Sequence, residues 1–368
     1  MQIGEQQAKQ SIVNAIQSVQ MSKLYDAMVY DAVIIGAGPA GCSAAITLAR
    51  SNLNVLLLES SVFPRYRPGE SLHPGIEPLF TTLGIASTVN AAGFIRHIGH
   101  RVAWSPNIPE QLERFGNDDR GDWRGYQAWR SKLDQILLQQ AQALGVHVWQ
   151  PCRAKAPIFD GTQLIGLTTN RGSVQTRYVL DGSGRGQWLL RKLDLCNLKY
   201  SPELIVRYGY VNYQKEAEKF DIPLIESDGV GWTWLARVRQ NRCAWVRMQF
   251  DGIDPGHNWR PPQFTDSIKV CPSKRADMTW RISETLATES WFMMGDAAVV
   301  LDPLSSHGVL RALMSGMQVA HLIVSTLQGT ISKARAAQLY SKWLREWFYR
   351  DLTRLREFYQ GKNKELLQ

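Results

Sequence analysis

The run Gly36-Ala37-Gly38-Pro39-Ala40-Gly41 constrains the fold more than any other segment, because it sits between an apolar stretch, residues 29–35, and an alanine-rich stretch reaching about Arg50. Glycines in this spacing let a chain turn out of a strand, admit a diphosphate against the backbone and pack the next helix tightly. Free backbone amides and the positive end of that helix then hold the phosphates. Residues 55–58 form a second apolar strand ending in Glu59, placed to accept hydrogen bonds from an adenosine ribose. This is a βαβ unit and predicts a parallel sheet that binds a dinucleotide. Gly36, Gly38, Pro39, Ala40, Gly41 and Glu59 are its candidate contacts.

The rest of the chain extends that sheet and adds another. Residues 1–28 are polar and Gln-rich and suggest a short helix or a segment that orders on docking. From about Ser131 the apolar positions Leu133, Ile136, Leu137, Ala141 and Leu144 follow a helical period up to Gly145, and residues 146–149 form a strand. Residues 164–169 and 174–181 read as strands joined by Asn170-Arg171-Gly172. Between about 204 and 280 only strand-like segments occur, which predicts an antiparallel sheet in a second domain. Parallel organisation returns at 291–296, a long helix is expected over 309–327, and an amphipathic segment, 334–359, should cover an apolar surface. The expected division is a discontinuous first domain (29–100, 125–200, 281–330), a second domain (101–124, 201–280) and a C-terminal helical segment (331–368).

Bulk properties exclude several classes. The net charge of +9 comes from scattered Arg and Lys with no nucleic-acid-binding module beside it, so no nucleic-acid partner is expected. Cys42, Cys152, Cys196, Cys243 and Cys271 are dispersed and form no CxxC pair, which argues against a disulfide framework or a metal site. No apolar run approaches the roughly 18–20 residues of a membrane span and no secretory signal is evident, so a cytoplasmic protein is expected.

Three later elements select the dinucleotide. Gly295-Asp296 follows an apolar strand, Asp302-Pro303-Leu304-Ser305-Ser306-His307-Gly308-Val309 leads into a helix, and Asp181-Gly182 also follows a strand. The set resembles glutathione-reductase-like and hydroxybenzoate-hydroxylase-like flavoproteins, in which an Asp holds the ribityl chain and a helix end faces the flavin ring. That resemblance implies an α/β fold with an α+β second domain: an FAD-binding Rossmann domain, an inserted antiparallel substrate sheet and a C-terminal helix. It adds Arg67, Arg130, Asp181, Gly295, Asp296, Gly308 and Val309 to the candidate FAD contacts. The run Arg67-Pro68-Gly69-Glu70-Ser71-Leu72-His73-Pro74-Gly75 looks like the PGES segment shared by flavin-dependent halogenases, geranylgeranyl-reductase-like proteins and flavoproteins that mature quinone-cofactor amine oxidases.

Two departures argue against halogenation. Where halogenases carry a lysine two residues before a glycine, this chain has His97-Ile98-Gly99, and the WxWxIP signature stops after Trp232-Thr233-Trp234. The segments resemble the LodB-like and GoxB-like tryptophylquinone-maturation flavoproteins. That resemblance implies an FAD monooxygenase that oxygenates a tryptophan of a precursor oxidase, with dioxygen and with electrons from a nicotinamide or from reduced flavin made by a flavin reductase. The other readings are a geranylgeranyl-reductase-like or small-molecule aromatic enzyme, a halogenase, and a maturation chaperone that oxidises nothing. His73, His97, His307 and Glu70 are the candidate acid–base groups, each open to a structural role; Glu70 has the alternative of pairing with Arg65 or Arg67. Trp232, Trp234, Tyr208 and Tyr210 either line a substrate pocket or pack the two domains together.

Overall fold

The computed structural model describes residues 29–105, 109–213 and 216–360; the expected N-terminal segment 1–28 and residues 361–368 lie outside this range. Strand β2 (Val55–Leu58) is a continuous apolar run and β1 (Tyr30–Ile35) one broken only by Asp31, and both are otherwise buried on both faces, as strands of a covered parallel sheet must be. Between them α1 (Pro39–Arg50) opens on a proline, at the position where a missing N–H costs nothing. Helix α2 (Arg130–Ala143) leads into β3 (His147–Trp149), which pairs in parallel with β2. Then β4 (Ala154–Asp160), β5 (Gln163–Thr169) and β6 (Gly172–Asp181) form an antiparallel meander whose last strand returns to pair in parallel with β1. The resulting order is β3-β2-β1-β6-β5-β4.

The second sheet is built on β7 (Ile205–Asn212), β8 (Leu224–Ser227), β9 (Gly231–Arg239) and β10 (Arg242–Gln249), in the order β7-β10-β9-β8. Gly99–Ala103 and Gln111–Arg114 extend it beyond β8. Its register aligns Tyr208 with Val246 and Val246 with Trp234, so these side chains share one face. The opposite face holds a separate apolar cluster containing Leu235, Trp245, Phe220 and Phe264. Strand-like structure alone was expected here; instead two single 3-10 turns, Ala217–Phe220 and Pro262–Phe264, interrupt it and supply those two phenylalanines.

The chain then returns to the first sheet, where β11 (Trp291–Met293) pairs in parallel with the end of β6. Helix α3 (Gly308–Leu327) lies directly on α1. The Ser43 hydroxyl donates to Leu313 O at 3.0 Å, and a Cβ at Gly316 would fall 2.2 Å from Ala40 O, so only glycine permits this approach. By length and composition α3 could cross a membrane, with a mean hydropathy of 1.2, which corrects the expectation that no such run exists; 56% of that window is buried inside the protein. Helix α4 (Lys333–Gln360) covers both units: the Tyr340 hydroxyl donates to Met293 O at 2.6 Å at one end, and Tyr359 reaches Trp232 of the second sheet at the other.

Candidate active site

The glycine turn has the shape a diphosphate needs. A Cβ at Gly36 would lie 2.5 Å from Gly182 O and one at Gly41 only 1.9 Å from Gly36 O, so both positions are closed by backbone. At Gly38 a Cβ would meet only Arg65 Nη2, at 3.7 Å, and would project into the space a ligand backbone contact requires. Helix α1 begins there with no side-chain cap, leaving its first amides for an anion. Glu59 is buried beside this turn, accepting from Ala37 N at 2.9 Å and from Ser61 N at 2.8 Å and facing Arg65 at 3.5 Å. It retains acceptor capacity for a ribose hydroxyl.

From this turn a cavity of about 960 Å³ runs to the inner face of the second sheet, at the upper end of the size expected for a cofactor site. Arg67, Glu70, Arg130, Gly295 and Asp296 line it, as do Gly308 and Val309 at the start of α3. Helix α3 also lacks a side-chain cap, so its positive pole is open to the cavity. Arg67 makes no ion pair with any described residue, and burial followed by the neighbouring Arg65 lowers its pKa. Arg130 is anchored from behind, donating to both oxygens of Asp134 at 2.8 and 3.1 Å and to Pro68 O at 2.8 Å. Asp181 is a correction: it does not line the cavity. Both of its oxygens accept backbone amides, from Ser183 at 2.9 Å and Leu189 at 2.7 Å, so it shapes the 182–186 loop instead of holding the cofactor.

Glu70 pairs with neither Arg65 nor Arg67. It is buried against Tyr210, and the Tyr210 hydroxyl, with one proton, faces two oxygens: Arg67 O at 2.8 Å and Glu70 Oε1. A carbonyl cannot donate. Both contacts are satisfied when the tyrosine donates to Arg67 O and a protonated Glu70 donates to the tyrosine. Consistently, burial pushes the Glu70 carboxyl up to about 7, against a lowering contribution from Tyr210. Tyr210 therefore serves Glu70, whereas Tyr208, Trp232 and Trp234 stand on the cavity wall.

The three candidate histidines are also corrected, since none is among the cavity-lining residues. His97 is buried, donates from Nδ1 to Gly99 O at 2.8 Å and turns Nε2 toward Gly125, whose Cβ would lie 3.0 Å away. His97 and His73 pack on Phe115 at ring-centroid distances of 5.3 and 5.1 Å, and His307 lies 5.8 Å from His73. Burial lowers the pKa of all three, which keeps this aromatic cluster uncharged at neutral pH.

One residue of the site entered the sequence reading only as the start of the segment leading into the helix, not as a candidate contact. Asp302 is buried on the cavity wall, accepting from Leu304 N at 2.9 Å through Oδ1 and from the Tyr359 hydroxyl at 2.8 Å through Oδ2. Tyr359 Oη accepts in turn from Trp232 Nε1 at 2.9 Å. The available signal was an acid set in the apolar run Val299-Val300-Leu301-Asp302-Pro303-Leu304. Its partner, 57 residues away on α4, left no local trace.

Residues 31–129 match the tryptophan halogenase family model. The chain is 28% identical over 372 residues to a tryptophan 2-halogenase of Chondromyces crocatus, covering 89% of this chain and 67% of that protein. It is 26% identical to a 1H-pyrrole-2-carbonyl-[peptidyl-carrier protein] brominase of Pseudoalteromonas luteoviolacea (strain 2ta16), covering 82% and 78%. Among solved structures, the myxobacterial chondrochloren halogenase CndH superposes with a TM-score of 0.82 at 24% identity, covering 92% of this chain and 83% of that one. The flavin-dependent brominase Bmp2 gives 0.78 at 24%, covering 90% and 88%. These relatives overturn the expectation of a tryptophan-oxygenating maturation enzyme: they are halogenases, and neither the tryptophylquinone chemistry nor a precursor-oxidase partner is supported. His97 and the missing Ile-Pro weighed too heavily in that reading, because the likeness extends over most of the chain. With a phosphate-accepting glycine turn and a second helix pole on one cavity, the chain is an FAD-dependent oxidoreductase, and its fold is that of the halogenases it superposes on.

Proposed function

We propose that this protein is a flavin-dependent halogenase acting on an electron-rich aromatic ring. The observation that carries the reading is one continuous cavity joining the FAD cradle to a wall of Tyr208, Trp232 and Trp234, in a chain whose relatives over 89% of its length include a tryptophan 2-halogenase. Bound FAD, reduced by a separate flavin reductase or a transiently bound nicotinamide, would supply dioxygen with the two electrons that generate the oxidant for halide. Overall, an aromatic C–H, a halide, dioxygen, reduced flavin and one proton become a C–halogen bond, oxidised flavin and two waters, with two of the four electrons that reduce dioxygen coming from the flavin and two from the C–H and halide. The first amides of α1 and the Gly38 backbone hold the pyrophosphate, Glu59 the ribose, and the uncapped end of α3 stabilises negative charge on the ring. The aromatic wall stacks the substrate and excludes water, and Glu70, which lines the same cavity, holds its proton at Oε1 toward Tyr210.

A second reading, hydroxylation of the aromatic ring without halide, is favoured by one observation: the sole lysine among the cavity-lining residues is the exposed Lys199, and His97 is turned away from the cavity. The deciding experiment supplies FAD, a flavin reductase, reduced nicotinamide, air and a set of indoles, pyrroles and phenols, with bromide present or omitted. Bromide-dependent products bearing bromine support halogenation. Products that gain oxygen whether or not bromide is present establish hydroxylation and refute it.

A further inference from the structure

The chain Trp232 Nε1–Tyr359 Oη–Asp302 Oδ2 joins three distant segments: β9, the last turn of α4 and the loop that enters α3. All three residues are buried, and Trp232 and Asp302 both line the cavity. Asp302 makes no ion pair with any described residue, although arginines are abundant elsewhere on the cavity wall. A carboxylate offers about four acceptor sites; Asp302 accepts from Leu304 N and the Tyr359 hydroxyl, and the Trp280 side chain is a third donor beside it. Unfilled acceptor capacity on a buried anion is costly. One acceptor site therefore remains on a carboxylate that lines the cavity, where a donor on the occupant can fill it.

The cavity that Asp302 lines is also walled by Trp232, Trp234, Tyr208, Leu301 and Pro303, a setting for a flat, largely apolar ring. Cationic ligands are disfavoured by Arg67, Arg185 and Arg191 on the same cavity. We propose that Asp302 is a specificity-determining acceptor for neutral aromatic substrates that carry a ring N–H or phenolic O–H, and that Tyr359 is the positioning residue that aims it. This rests on reading the cavity as the site of an aromatic substrate and narrows the class to donor-bearing rings. The C-terminal helix thereby becomes part of the active site: it holds the Trp232 wall and the Asp302 loop through one hydroxyl. Burial raises the Asp302 carboxyl to about 6, so the acceptor form dominates at the pH of a neutral assay.

The test is equilibrium binding of indole and of benzofuran, which has the same shape without the donor, to the FAD-loaded protein at pH 7.5, followed by calorimetry. A hydrogen bond to a charged group predicts at least about tenfold tighter binding of indole. Asp302→Asn and Tyr359→Phe are each expected to bring the ratio within about threefold while FAD affinity stays at the wild-type level. Tyr359→Phe keeps the ring packing and loses only the hydroxyl, so it carries the test if Asp302→Asn does not fold. A wild-type ratio near one, or no saturable indole binding, overturns the proposal. So does a loss of FAD affinity in Asp302→Asn with the indole preference intact, which would assign the carboxylate to the flavin. No turnover is involved, so an absence of halogenated product would refute the halogenase reading without touching this result.

Discussion

Replacing Glu70 with glutamine isolates the proton that the Tyr210 geometry requires. Burial raises this carboxyl from 4.5 to about 7, so between those values the folded protein retains a proton that the unfolded chain releases. Stability therefore falls as pH rises from about 4.5 to 7 and is flat above, the loss amounting to about 3 kcal/mol at 1.36 kcal/mol per pH unit. Glutamine is neutral throughout, and its amide can donate to Tyr210 Oη as the protonated acid does. Glu70→Gln should then match the wild type near pH 5 and exceed it at pH 8, by up to about 3 kcal/mol. Urea unfolding of the FAD-saturated proteins from pH 5 to 8.5 reads the difference directly, because all other titrating groups are common to both. Parallel curves over that range would refute the assignment: Glu70 would then be ionised in the fold, with Arg67 O left without the tyrosine proton.

The last and middle glycines of the turn should separate fold from cofactor. Gly41→Ala drives a Cβ into Gly36 O and should yield protein without flavin and with a collapsed melting transition, whereas Gly38→Ala should fold normally and lose at least about tenfold in FAD affinity by flavin fluorescence titration. Asp351→Ala leaves Arg311, which it contacts at 3.3 Å, as an unpaired buried cation, and should cost about 3–5 kcal/mol in denaturant unfolding. His97→Asn preserves a donor to Gly99 O and should keep turnover within about twofold; a fall of 100-fold or more, the scale of a lost acid–base group, would return His97 to the chemistry.

Much of the flavin half was legible because its determinants are local. The 36–41 turn needs particular backbone conformations and close contacts, and those demands are written as glycines; the apolar runs of β1 and β2, broken only by Asp31, announce a sheet covered on both faces. The shared face of Trp232 and Trp234 followed from the two-residue period of a strand. Local pattern misled where a residue's surroundings decide its role. Asp181 after a strand looked like a cofactor ligand, yet the 183–189 loop folds back and takes both oxygens. Histidines near a flavin motif looked like acids and bases, yet His73 and His97 pack on Phe115, and His307 on His73, as an uncharged cluster.

What the sequence by itself determined is the dinucleotide turn, the alternation of the two sheets and the amphipathic end, since each is a repeat or a spacing within a few residues. Only the tertiary structure decided which carboxyl holds a proton and which accepts one. Glu70 meets Tyr210 across 140 residues and Asp302 meets Tyr359 across 57. A carboxyl's proton affinity is set by burial and by the donors that reach it, and both are created only when distant segments close on one cavity.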